Sequence, residues 1–235
     1  MMDETGFQAY LKRQKKPQNT IDEYSRRAKE FNELLLKTDK KNLDEATPED
    51  IKRYYNQLVQ ELKRTVVNRH LWALLTYYRY KNNDPLYCVT NELLGISYLE
   101  SYKLKDFEGV EPDYVKVLAS NGIKTAQQLL DLGKTKEERD EISKKYTIPS
   151  NSLLELVKLA NLARISGLKK KRARLFYDAG LDTLDKIAAY DDSEELRTAL
   201  VDFVNRSGFS GTASTPTEAA HTLLLAKYLK RIIEF

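Results

Sequence analysis

Through its first 85 residues the chain repeats apolar positions at spacings of three and four, the period of helices with one buried face. Four helices are predicted there. The first holds Phe7, Tyr10 and Leu11, runs into the basic stretch Lys12, Arg13, Lys15 and Lys16, and is ended by Pro17, whose ring cannot continue a helix interior. Thr20 with Glu23 three residues on predicts an N-cap and capping box for the second, with Ile21, Tyr24, Ala28, Phe31 and Leu35 as its apolar face. Thr47-Pro48-Glu49-Asp50 starts the third: a cap, proline at the first helical position, then acids in the first turn. Ile51, Tyr54, Tyr55, Leu58 and Leu62 give it a core side. The fourth, about Thr65 to Lys81, has two faces. Val67, Leu71, Leu74 and Tyr78 form a core stripe, and Thr65, Arg69, Trp72, Thr76 and Arg79 form a polar, basic and aromatic one.

Beyond residue 85 the pattern changes from single helices to a repeat. Asn82-Asn83-Asp84-Pro85 is turn chemistry, and Pro85 to Thr90 reads as a linker between domains at 1–84 and 91–235. The second domain resembles itself at an offset of 58 residues. Phe107-Glu108-Gly109-Val110 corresponds to Ile165-Ser166-Gly167-Leu168, and Gly122-Ile123-Lys124-Thr125 to Gly180-Leu181-Asp182-Thr183. Leu118 matches Phe176, Leu129 matches Ile187, Arg139 matches Arg197 and Ile142 matches Leu200. Leu162-Ala163-Arg164-Ile165 matches Leu229-Lys230-Arg231-Ile232 at an offset of 67, and the extra nine residues fit an insertion in the flexible stretch Ser207–Thr217. Each unit, about 100–160 and 161–235, reads as helix, glycine turn, helix, then Gly-apolar-x-Thr introducing another helix. Thr125 and Thr183 are expected as N-caps. The turn glycines are expected to supply positive φ or a close helix approach. The fold class is therefore all-α: a small four-helix bundle followed by an all-helical domain.

Composition narrows the chemistry. Two histidines and one cysteine, Cys88, exclude an internal disulfide framework and make a zinc site a poor expectation. No apolar run approaches twenty residues, so no membrane span is expected, and the N-terminus shows no secretory signal. A cytoplasmic location follows as an expectation. No P-loop, paired catalytic carboxylates or Ser/His/Asp set is found, so neither an enzyme nor a cofactor is expected. Of the chain's formal charge of +4, residues 1–85 hold 17 basic against 13 acidic side chains and so carry the whole excess. Such an excess on a small domain suits a polyanionic partner.

Two segments concentrate that charge in a usable form. On the fourth helix, Lys63, Arg64, Arg69, Trp72 and Arg79 suit phosphate contact and base or sugar packing; Trp72 packing against a neighbouring helix is the alternative. In the second repeat, Gly167 precedes Lys169, Lys170, Lys171, Arg172 and Arg174, five cations in six residues. A solvated basic turn balanced by Asp178, Asp182 and Asp185 is the alternative there. The first repeat has Glu111-Pro112-Asp113 at the equivalent place, two carboxylates and a missing N–H, and reads as structural.

The anchors Phe7, Tyr10-Leu11, Thr20-Ile21, Tyr24, Phe31, Thr47, Asp50-Ile51 and Tyr54, followed by Asn68-Arg69-His70-Leu71-Trp72-Ala73-Leu74 and Tyr77-Tyr78-Arg79-Tyr80, carry a family likeness. In their order and spacing, over roughly residues 4–84, the chain resembles the N-terminal core-binding, SAM-like domain of phage integrases and other tyrosine recombinases. That resemblance implies a helical bundle clamping one side of DNA, with the fourth helix among those facing it. Neither His70 nor His221 begins the His-x-x-Arg that strand transfer would need, so no recombinase chemistry is inferred. Residues 91–235 are similar to a helix-hairpin-helix repeat domain of unknown function, although Glu111 and Lys169 replace the second glycine of that motif. Its physics is a phosphate resting on backbone N–H groups. The reading is a non-catalytic DNA-binding protein, accessory to recombination or integration, preferring duplex to single strand. A helical adaptor for a protein partner or for self-association, using Tyr54, Tyr55, Tyr77, Tyr78, Tyr80 and Tyr87, is the alternative.

Overall fold

The computed structural model describes residues 2–235, the side chain of Ser97 excepted. Among them thirteen α-helices and two 3-10 turns account for the regular structure, and no strand is present. The fold is all-α. The chain divides into two compact units, Met1–Ser97 and Tyr98–Phe235.

The first unit is built from α1 (Glu4–Arg13), α2 (Gln18–Asp39), α3 (Pro48–Glu61), α4 (Arg64–Tyr80) and most of α5 (Asp84–Leu99). The Thr47 box forms as the pattern predicts: its hydroxyl accepts from the Asp50 amide, the Asp50 carboxylate accepts from the Thr47 amide, and Pro48 opens the helix. The Thr20 box does not. α2 begins at Gln18 with Pro17 in the cap position, and the amides of Thr20 and Ile21 both donate to the Pro17 carbonyl. Pro17, expected to end α1, instead starts α2, because its fixed φ suits an entry and it has no N–H to satisfy; α1 itself closes four residues earlier, at Arg13. The expected linker is corrected too: 85–90 lies inside α5, where Pro85 sits in the first turn, a place helices tolerate it.

α4 is the hub of this unit and is buried on more than one stripe. Val67, Leu71, Leu74 and Tyr78 lie inside as expected, and His70, Ala73 and Tyr77 beside them do as well. Phe31 stacks on Tyr54 at 4.5 Å and Phe7 meets Tyr77 edge-on at 5.2 Å. Each such ring contributes roughly 1.5–3 kcal/mol by burial. Several of the polar atoms carried inside are satisfied in pairs, whereas the buried hydroxyls of Ser25 and Tyr78 have no hydrogen-bond partner among the described residues. Tyr77 donates to Asp44 at 2.6 Å, the Leu43 amide donates to Asn32 at 2.9 Å, and the Tyr54 hydroxyl and Nδ1 of His70 share a hydrogen bond at 2.8 Å. This corrects the tyrosine interface: Tyr54, Tyr77, Tyr78 and Tyr87 are core residues, and Tyr55 and Tyr80 are half-buried.

The second unit runs through α6 (Pro112–Ser120), α7 (Ala126–Leu132), α8 (Lys136–Tyr146), α9 (Ser150–Leu162), α10 (Lys170–Asp178), α11 (Leu184–Ala188), α12 (Ser193–Ser207) and α13 (Pro216–Tyr228). α6 and α10 have nine residues each and start 58 apart. Both end in the same cap. Gly122 and Gly180 take φ of +88° and +79°, and the amides of Ile123 and Leu181 reach back to the carbonyls of Leu118 and Phe176 at 2.9 Å. Thr125 and Thr183 then cap α7 and α11 through their hydroxyls. Gly109 and Gly167 also hold positive φ, +73° and +97°. The matched positions Leu118 and Phe176, Leu129 and Ile187, Ile142 and Leu200 are all buried. The arginine pair diverges: Arg139 is buried and donates to the carbonyls of Gly133, Lys134 and Glu234, whereas Arg197 lies outside on Glu194.

Candidate nucleic-acid interface

α4 positions the first set of basic residues by its phase. Its interior stripes fix which side is left to solvent. Lys63 takes the N-cap position and Arg64 opens the helix, both exposed. No side chain caps this end and no acid occupies its first turn, so the positive end of the helix dipole is reinforced by cations. Arg69 is exposed over 61% of its side chain, with one nitrogen 3.6 Å from Glu23. That carboxylate is already held by Arg27 at 3.0 Å. Trp72 is half-buried, and its carbonyl accepts from Thr76 at 2.7 Å. Arg79 is half-buried and lies 5.4 Å from the centre of the Tyr87 ring. The five residues therefore split into three turned to water and two folded onto the unit.

Below this face sits His70, 5% exposed, with its Nδ1 bound to the Tyr54 hydroxyl and 3.7 Å from Glu30. Burial, reinforced by the charges of Arg27 and Arg26, pushes its pKa down to about 4. It is neutral and structural at pH 7. Cys88 is buried, and burial pushes its thiol up to about 12, so it is held as the thiol.

α10 treats its cations differently. Lys170 meets Asp106 at 2.7 Å and lies 5.7 Å from the Tyr102 ring centre. Arg172 donates to the Thr212 and Ala213 carbonyls and meets Glu218 at 3.1 Å, so it pins the Gly/Ser/Thr-rich stretch. Arg174 is clamped between Glu155 and Asp178, the latter at 2.8 Å. Its guanidinium lies against Gly109: a Cβ built there would stand 2.7 Å from Nη1. Of these five cations only Lys169, in the N-cap position, and Lys171 are exposed and lack a carboxylate within 4.0 Å among the described residues. The balancing acids are not the nearby Asp182 and Asp185. Lys158 and Lys186 take Asp182, and Arg231 takes Asp185. Gly167 itself is exposed, with His221 3.9 Å from its would-be Cβ.

The first glycine turn borders a cavity of 260 Å³ lined by Gly109, Val110, Glu111, Tyr114, Ser152, Glu155 and Leu156. Two carboxylates stand in its wall, Glu111 and the Glu155 that Arg174 holds. Among the described residues no cluster of His, Cys, Asp and Glu could hold a metal ion, and no helix is long and apolar enough to cross a membrane.

A further basic group, Lys12, Arg13, Lys15 and Lys16, is exposed at the end of α1. The run is plain in the sequence, but nothing there distinguishes it from a solvated helix end. No curated protein and no solved structure matches the chain. Two family models do: residues 5–83 match the phage integrase N-terminal SAM-like domain, and residues 108–224 match a domain of unknown function, DUF4332.

Proposed function

We propose that this chain is a non-catalytic DNA-binding protein that holds duplex DNA mainly by its phosphates and serves recombination or integration. The observation that carries the reading is the coincidence of residues 5–83, the span of the phage integrase N-terminal match, with the third of the chain that holds its entire positive excess. The match itself points to a DNA-recombination-related context. Lys63, Arg64 and Arg69 supply the phosphate contacts on α4, and Trp72 packs a sugar or base at their edge. We read the glycine turns of the second unit as helix-hairpin-helix repeats. Gly167, Lys169 and Lys171 make the lesser contact there. Lys170, Arg172 and Arg174 first have to leave Asp106, Glu218 and Glu155.

Fluorescence anisotropy with duplex and single-stranded oligonucleotides, titrated with salt, tests this. Duplex is expected to bind more tightly. The logarithm of the binding constant should fall against log[salt] with a slope of about −0.9 per phosphate neutralised. Replacing Lys63, Arg64 and Arg69 together by Glu should abolish binding at ~150 mM salt with the fold intact. A wild-type chain that binds neither strand form at ~50 mM salt would sink the proposal and leave the adaptor reading.

A further inference from the structure

We propose that the C-terminal turn of α1, Lys12-Arg13-Gln14-Lys15-Lys16, is a second phosphate-binding patch of the first unit, made for the backbone of duplex DNA. It rests on the DNA-binding reading and adds a site to it. Leu11 is fully buried, and from Lys12 to Asn19 every residue is exposed. The helix closes on itself: the Lys15 amide donates to the Lys12 carbonyl at 2.9 Å and the Lys16 amide to the Leu11 carbonyl at 3.1 Å. This cap gathers four cationic side chains around about one helical turn of backbone, roughly 5 Å along the axis.

None of the four has a carboxylate within 4.0 Å among the described residues, unlike Lys170, Arg172 and Arg174. Cations in a last turn answer the helix dipole, which accounts for Lys12 and Arg13. It does not account for Lys15, which takes φ of 54°, a conformation in which glycine is less strained. Lys40 shares that conformation at φ 56° but stands beside Asp39 and next to Lys41, which is paired with Asp50. The flanks of the α1 turn, Gln14, Pro17, Gln18 and Asn19, offer no large apolar side chain to enter a lipid surface. Dense, unpaired, non-apolar charge suits a phosphodiester chain, whose condensed counterions such a patch releases.

Lys15→Gly separates charge from folding, because the substitution removes the cation and relieves the backbone. With full-length protein, the melting temperature of Lys15→Gly should equal or exceed that of wild type. Its affinity for duplex should fall about threefold to tenfold at ~50 mM salt, and the salt slope should shrink by about one. Lys12→Ala with Lys16→Ala should shrink it by about two. If wild type binds duplex and both variants bind it equally well with unchanged slopes, the patch is overturned and the DNA reading stands. If wild type binds no duplex, both fall. Loss of binding to phosphatidylserine vesicles with duplex binding untouched overturns the patch in favour of a membrane surface.

Discussion

The two units dispose of their basic residues in opposite ways. The first unit keeps most cations outside and fills its interior with neutral polar pairs: Tyr54 on His70 and Asn32 on the Leu43 amide. Arg27, buried on Glu23, and the half-buried Lys41, paired with the buried Asp50, are its exceptions. The second unit turns cations inward. Arg139 and Arg164 are buried on backbone carbonyls, and Arg174 is wedged between two acids against a glycine turn. The densest basic run in the sequence, Lys169–Arg174, consequently offers fewer open charges than the shorter run at the end of α1. Local density of lysine and arginine does not measure what a polyanion can reach. What decides is where residues distant in the chain place their carboxylates: Asp106 on Lys170 and Glu218 on Arg172.

The largest expected difference between the units is in mild acid. His70 has a folded-state pKa near 4 against an ordinary 6.5, so between those values the unfolded chain binds the extra proton. Stability present above pH 6.5 is lost as the pH falls toward 4, by about 3 kcal/mol if the whole shift is expressed. In the second unit, lysine contacts hold the carboxyls of Asp106 and Asp182 below the ordinary 3.8, so its ion pairs weaken only at lower pH. Trp72 is the only tryptophan and belongs to the first unit, so its fluorescence follows that unit alone. Fluorescence melts at pH 7 and pH 5 should show a fall that His70→Gln removes. An equal fall in that variant would break the contrast.

Next in size is the loss of an inward cation. Arg174→Ala leaves Glu155, beside Glu111 in the cavity wall, without its partner. Arg174 keeps only 20% of its side chain exposed. Breaking a fully buried pair costs 3–5 kcal/mol, and this partly wet one should cost about 2. Lys12→Ala, an exposed charge in the other unit, should stay within about 0.5 kcal/mol. Far-UV circular dichroism melts of the two variants measure the difference. Comparable losses would mean that the cations of both units are structural.

Much of this fold was readable beforehand because it is local. The Thr47 box, the Thr125 and Thr183 caps, and the glycines at 109, 122, 167 and 180 each satisfy a rule that spans four or five residues. The failures are of two kinds. At Pro17 and Pro85 two local rules competed. The pattern makes each proline a terminator or a linker residue, whereas both occupy the start of a helix, which the ring allows equally well. For the candidate site the missing knowledge was long-range. Asp178 on Arg174 is four residues away and visible, but Glu155, Asp106 and Glu218 lie 19, 64 and 46 residues from their partners. Periodicity places a residue on a face and cannot say which acid will be folded onto it. The tyrosines misled for the related reason that a ring at a helix's second stripe is buried once a third helix packs there.

The smallest effect tests whether the inward turn of Arg174 has reshaped the repeat itself. Gly109 and Gly167 are equivalent in sequence and both hold positive φ, so alanine at either should cost about 1–2 kcal/mol in backbone strain alone. Their surroundings differ. A Cβ at Gly167 has ordinary room, with His221 at 3.9 Å, whereas one at Gly109 presses on the Arg174 guanidinium at 2.7 Å. That end of Arg174 is held by Glu155 and Asp178 and cannot swing away without loosening both pairs. Gly109→Ala should therefore be the worse of the two by about 1 kcal/mol, the cost of partly loosening those pairs. In an Arg174→Ala background the obstacle is gone, and the two glycine substitutions should become equal. Chemical denaturation of the three single and two double variants closes this cycle. A gap that persists without Arg174 would place the difference in the two turns, and the asymmetry between the repeats would then precede the arginine.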